Sequence, residues 1–194
     1  MINSINLTKL LSLVAVGQFD ALTDYLVGAV QKLARAGADF ALLTSNTPHI
    51  VFQEVRERSP IPLISIVEVT CERAHSLGLT RVGLFGTRFT MQGSFYANVF
   101  SKENIAILSP SEDEQAYIHD KYMGELVNAV FLPETRAGLL AIARRMVDRE
   151  QIQGLILGGT ELPLILGSSE AGIPLLDTMR IHVEKAIAQL LAPH

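Results

Sequence analysis

The chain has 194 residues, 48% of them hydrophobic, enough to bury a substantial core in one large α/β domain or two small ones. Its formal charge of −4, with acidic and basic residues interspersed, leaves no basic stripe to neutralise phosphates, so nucleic acid is not an expected partner. The single cysteine, Cys71, excludes an intramolecular disulfide and a multi-cysteine metal site, which fits a reducing, cytoplasmic setting.

The opening Met1-Ile2-Asn3-Ser4-Ile5-Asn6-Leu7 has no basic region leading into an apolar core, and no apolar run approaches the roughly 18 residues of a spanning helix. Neither secretion nor membrane insertion is expected. In chain order, hydrophobic periodicity predicts a helix over 19–36, strands over 39–44 and 61–65, and a helix over 66–77. A strand follows over 81–86, a helix over 89–101, a strand over 105–109, and helices over 112–129 and 134–149. Strands over 154–158 and 173–177 and a helix over 179–191 complete the chain. Several strands are apolar throughout, as strands covered on both faces must be. Strands alternating with helices predict an α/β fold whose sheet, or sheets, are mostly parallel. Gly37, Gly78 and Gly154 are expected to close three helix-to-strand turns, where a residue tolerating positive φ is favoured.

In parallel α/β sheets, ligands collect at the carboxyl ends of strands, beside helix N-termini. Three strand-end loops carry hydroxyl groups there: Ser45-Asn46-Thr47, Gly86-Thr87-Arg88-Phe89-Thr90 and Gly158-Gly159-Thr160-Glu161. Each could hold a small anion, or its threonine could simply cap a helix. The first and third loops also look alike, each a strand end followed by small and hydroxyl residues and a proline, Pro48 or Pro163, which suggests a duplicated half.

Thr44-Ser45-Asn46-Thr47-Pro48-His49, Leu84-Phe85-Gly86-Thr87-Arg88-Phe89-Thr90-Met91 and Leu157-Gly158-Gly159-Thr160-Glu161-Leu162-Pro163-Leu164 together resemble the aspartate/glutamate racemase family in order and spacing. Ile173-Pro174-Leu175-Leu176-Asp177-Thr178 with His182 is similar to the family's closing strand and helix. The resemblance implies two pseudo-symmetric Rossmann-like parallel-sheet domains facing across a cleft, formed by residues 1–76 with 174–194 and by 77–173. It implies cofactor-independent racemisation of an amino acid, without a metal, commonly in a homodimer. A small amino acid or dicarboxylate is the expected ligand, held by Asn46, Thr47, Thr87, Thr90, Thr160 and Glu161, with His49, Asp177 and His182 behind them.

In that chemistry one cysteine thiolate removes the α-proton and a thiol on the opposite face returns one. The resemblance places those two catalytic positions at Ser45 and Gly159. A serine hydroxyl is far less acidic than a thiol, and glycine has no side chain with which to move a proton. The glycine-rich strand-end loop that the family carries ahead of the stretch resembling Met1 to Leu7 is absent from this sequence, so the first domain is expected to be truncated. An impaired racemase, a catalytically silent carboxylate-binding homologue and a one-base enzyme such as a decarboxylase remain open. Cys71, on a predicted helix away from the three loops, reads as core packing. Arg88 is either a carboxylate partner or a surface charge.

Overall fold

The computed structural model describes residues 1–167 and 172–192; the expected halves also contain 168–171 and 193–194, which lie outside the described residues. Two parallel sheets organise the chain. The smaller pairs β1 (Ala41–Leu42) with β2 (Leu63–Ile64), Ala41 opposite Leu63. The larger contains β3 (Arg81–Gly86), β4 (Ala106–Leu108), β5 (Gly154–Gly158) and β6 (Leu175–Asp177) in the order β4-β3-β5-β6. The α/β class with parallel sheets is therefore as expected. β1 and β2 are two residues each, shorter than the predicted runs 39–44 and 61–65.

The helices are α1 (Leu7–Ala15), α2 (Phe19–Arg35), α3 (Phe52–Arg58), α4 (Ile66–Ser76), α5 (Arg88–Gln92), α6 (Phe95–Phe100), α7 (Glu112–Gly124), α8 (Pro133–Glu150), α9 (Leu162–Ile165) and α10 (Thr178–Leu191). Four differences from the sequence reading have local causes. First, α1 was not anticipated. Asn6 caps it by accepting from Lys9 N at 2.9 Å, and Leu10 and Val14 form a buried stripe at i, i+4 spacing. Second, the predicted helix over 89–101 is two helices, because Gly93 adopts an extended conformation and a Cβ there would stand 2.7 Å from Phe89 O. Third, the predicted helix over 112–129 ends at Gly124, and a 3-10 turn, Leu126–Asn128, follows before Ala129 turns left-handed. Fourth, Gly154 does not close a turn. Gln151 (φ 55°) takes the left-handed position after α8, and Gly154 begins β5, where a Cβ would press on Leu79 Cδ1 at 2.8 Å.

Gly37 and Gly78 do close their turns, at φ 87° and 67°. After each, the next amide returns to the helix, Ala38 N to Leu33 O and Leu79 N to Ala74 O, both at 3.1 Å.

The central strands are buried on both faces, and side-chain alternation sorts them into two cores. Phe85, Leu155 and Leu157 join Ile118, Leu139 and Met146 of α7 and α8. Val82, Leu84, Ile156 and Leu176 join Ile66, Tyr96 and Phe100 of α4 and α6. A third core holds Leu10 and Leu22 against Ala41, Phe52 and Leu63, packing α1, α2 and α3 on the small sheet. β6 hydrogen-bonds to β5, while α10 packs chiefly on α4. The parallel strands all point their carboxyl ends toward the loops described next.

Candidate active site

Three strand-end loops meet at one cavity of about 230 Å³. The first supplies half-buried Ser45 and buried Asn46 and Thr47, ahead of the 3-10 turn Thr47–Val51. The second supplies Thr87, which follows β3 directly. The third supplies Gly158, Gly159, Thr160 and Glu161 after β5. Gly86 and Gly158 are register partners in the two central strands, and a Cβ on Gly158 would lie 2.7 Å from Phe85 O. Glycine at both positions lets the two strand ends run this close. The roof is α1, with Leu7, Leu10 and Leu11, and one wall holds Tyr122, Met123 and Val127.

Thr47, Thr87 and Thr90 form a buried hydroxyl cluster, with Oγ1 atoms 3.2 Å apart for Thr47 and Thr87, 3.2 Å for Thr87 and Thr90, and 3.4 Å for Thr47 and Thr90. Thr87 also caps α5, accepting from Thr90 N at 3.3 Å, so capping and cavity lining coexist in one residue. Thr90 sits behind the lining. Thr160 caps nothing; its hydroxyl donates to Glu161 Oε2 at 2.7 Å.

Tyr122 was not singled out by the sequence reading, yet it defines the Gly159 side of the cavity. A Cβ built on Gly159 would meet the Tyr122 ring at 2.5 Å from Cε2 and 2.8 Å from both Cζ and Oη. The ring therefore occupies the space into which a side chain at position 159 would project. Its hydroxyl donates to Glu161 Oε2. Burial, and after it the bond to Glu161, push the phenol well above its ordinary value, so Tyr122 stays protonated at neutral pH and acts as a donor rather than a base. The signal for its burial was in the sequence, since Ile118, Tyr122 and Leu126 recur at four-residue spacing. Its meeting with Gly159 was not, because 37 residues separate them.

The residues expected behind the ligand are elsewhere engaged. His49 Nδ1 donates to Ser45 O at 2.9 Å, its Nε2 accepts from Ile66 N at 3.1 Å, and its ring stacks on Phe52 at 4.6 Å. Both ring nitrogens serve the backbone, so His49 is not positioned as a base for the Ser45 hydroxyl. His182, also buried, donates through Nε2 to Ile64 O at 2.9 Å. Asp177 caps α10 by accepting from Arg180 N at 3.0 Å. None of the three lines the cavity. Asn46 does, but its side chain is held from behind: Oδ1 accepts from Tyr96 Oη at 2.5 Å, and Nδ2 donates to Thr178 Oγ1 at 3.1 Å. Arg88 is exposed and outside the lining. Cys71 is buried on α4, and burial, then Glu103, Glu72 and Glu68, push its thiol up to about 11, leaving it protonated and remote from the cavity.

Burial, then the nearby His182, lower His49 from 6.5 to about 3. A folded value below the unfolded one means that the unfolded chain takes the proton first, so this stability is complete above pH 6.5 and is lost as pH falls toward 3. Urea unfolding should show a loss on the order of 2 kcal/mol from His49 between pH 7 and pH 4.5. The His49→Asn variant should lose that part of the pH dependence; an unchanged slope in the variant would disprove the assignment.

Among the described residues, no helix is long and apolar enough to cross a membrane, and no group of three or more His, Cys, Asp or Glu side chains could hold a metal ion. The profile of a family described as Asp/Glu/hydantoin racemase matches residues 2–186. A putative Asp/Glu racemase from Yersinia pestis superposes with a TM-score of 0.89 at 25% identity, over 99% of this chain and 84% of that one. An aspartate racemase homologue from Pyrococcus horikoshii superposes at 0.85 with 27% identity, covering 97% and 82%. The broad-specificity amino-acid racemase RacX of Bacillus subtilis is 22% identical over 175 residues, 89% of this chain and 74% of RacX.

Proposed function

We propose that this chain, which belongs to the Asp/Glu/hydantoin racemase family, binds a small amino acid in the cavity beneath α1 and retains at most a weakened, one-sided proton transfer at its α-carbon. The convergence of the Ser45 loop and the Gly159 loop on one cavity, with Thr87 between them, carries this reading. Thr47 and Thr87 offer hydroxyl groups and Asn46 its amide to the ligand's carboxylate, with Thr90 supporting Thr47 and Thr87 from behind and Thr160 holding Glu161. Glu161 offers a carboxylate to its ammonium group. Ser45 is the one side chain at the two proposed proton-transfer positions; with both His49 nitrogens taken, it can take the α-proton only as it passes its own hydroxyl proton to solvent water, which keeps the transfer slow. His49, His182 and Asp177 then act by holding the strand-end loops in place. A homodimer in the cytoplasm is the assembly we propose by family resemblance; of the two halves that it implies, 1–76 with 174–194 and 77–173, the strand β6 of the first pairs with β5 of the second.

Tyr122 favours a second reading, a catalytically silent amino-acid-binding homologue. It fills the space beside Gly159 with a protonated phenol, which cannot take a proton from the ligand. Solvent deuterium incorporation at the α-carbon of L- and D-amino acids separates the two. Slow exchange of one enantiomer that disappears in Ser45→Ala is the expected result. Saturable binding without any exchange would replace it with the silent reading, and neither exchange nor binding would sink both.

A further inference from the structure

We infer that the ligand of this cavity is a monocarboxylic amino acid with an aliphatic side chain, rather than a dicarboxylic one; this rests on the amino-acid-binding reading above. The lining is divided. Hydroxyl groups of Thr47 and Thr87 and the amide of Asn46 stand at the strand ends, whereas Leu7, Leu10 and Leu11 of α1 form the roof and Met123 and Val127 an adjoining apolar wall. The hydroxyl end suits one carboxylate and the leucine end suits a hydrocarbon.

Charge points the same way. Among the described residues, no lysine, arginine or histidine lines the cavity, and Glu161 is its sole carboxylate. A second carboxylate on the ligand would leave water for leucine side chains, with no cation to meet it and Glu161 to repel it. An ammonium group, by contrast, finds Glu161. Tyr122 and Thr160 both donate to Glu161 Oε2, which fixes the carboxylate against the cavity wall. At about 230 Å³ the space is below the roughly 300–1,000 Å³ of drug-sized pockets and fits a single small amino acid.

Titration calorimetry with L- and D-leucine, norvaline, aspartate, glutamate and 4-methylpentanoate tests this. Leucine or norvaline should bind at least about tenfold more tightly than aspartate or glutamate. The 4-methylpentanoate, which lacks the ammonium group, should bind more weakly than leucine, and that difference should shrink in Glu161→Gln. Leu11 is only partly buried, so Leu11→Arg tolerates folding and supplies the missing cation; it should move the preference toward glutamate. Aspartate or glutamate binding as tightly as leucine, with both weakened by Thr87→Val, overturns the aliphatic assignment while leaving an amino-acid site in this cavity. Binding of none of the ligands overturns both.

Discussion

Gly159→Cys is expected to lower the melting temperature and to yield no α-proton exchange beyond that of the unmodified protein, although it places a thiol at a position proposed for proton transfer. The added Cβ would lie 2.5–2.8 Å from three atoms of the Tyr122 ring. That ring is 6% exposed and packed among Phe85, Ile118 and Leu126, so it has little room to withdraw. Overpacking of this kind costs about 1–3 kcal/mol, or a fall in Tm of roughly 2–10 °C for a chain of this size. Tyr122→Leu removes the three clashing atoms while keeping an apolar residue on the buried stripe of α7. In a double-mutant cycle the two changes should couple favourably, the pair being more stable than the sum of the singles by about 0.5–3 kcal/mol. Strict additivity, or a Gly159→Cys variant as stable as the parent, would show that the ring does not guard this position. If the cycle couples as expected, Ser45→Cys added to the pair is the variant in which two-sided exchange should appear. Thiols alone, without the Tyr122 change, should not restore it.

The second large effect is expected at Asn46. Asn46 is 2% exposed, and its amide joins Tyr96 on α6 to Thr178 at the start of α10, whose hydroxyl donates onward to Leu157 O at 2.9 Å. This chain of bonds ties the Ser45 loop to α6, to α10 and to the end of β5. Asn46→Ala leaves the Tyr96 hydroxyl buried without its acceptor, at a cost of about 2–4 kcal/mol. Denaturant unfolding should show that loss, with a fall in Tm of roughly 5–15 °C. Tyr96→Phe removes the orphaned hydroxyl, so combining it with Asn46→Ala should recover part of the stability. If Asn46→Ala costs under about 0.5 kcal/mol, the network does not hold the loop. Ligand affinity should fall with stability, because Ser45 and Thr47 flank the same residue.

The alternation of apolar runs and amphipathic stretches was sufficient for the α/β class, and the ordered strand-end motifs were sufficient for the family. Both are local properties. A run such as Val82 to Phe85 is covered on both faces wherever it lies in a parallel sheet, and Ser, Thr and Gly after a strand read the same way before folding as after it.

Three features were decided by tertiary structure. The partner of Gly159 is one: four-residue periodicity puts Tyr122 on a buried stripe, but only the docking of α7 on β3, the neighbour of β5, brings its ring to the empty Cβ position. The roof is another. Leu7, Leu10 and Leu11 face the cavity because α1 is pinned to α2, with Asn6 N donating to Tyr25 Oη at 2.7 Å and Asn3 Nδ2 to Ala29 O at 3.1 Å. The histidines are the third. Their residue type suits proton transfer at neutral pH, but in His49 both nitrogens and in His182 Nε2 bond to backbone groups that lie 4–118 residues away along the chain. Side-chain chemistry is a property of the residue, whereas the atoms that occupy its lone pairs and its empty space are set by long-range packing. That is why the family could be read from the chain and the state of its site could not.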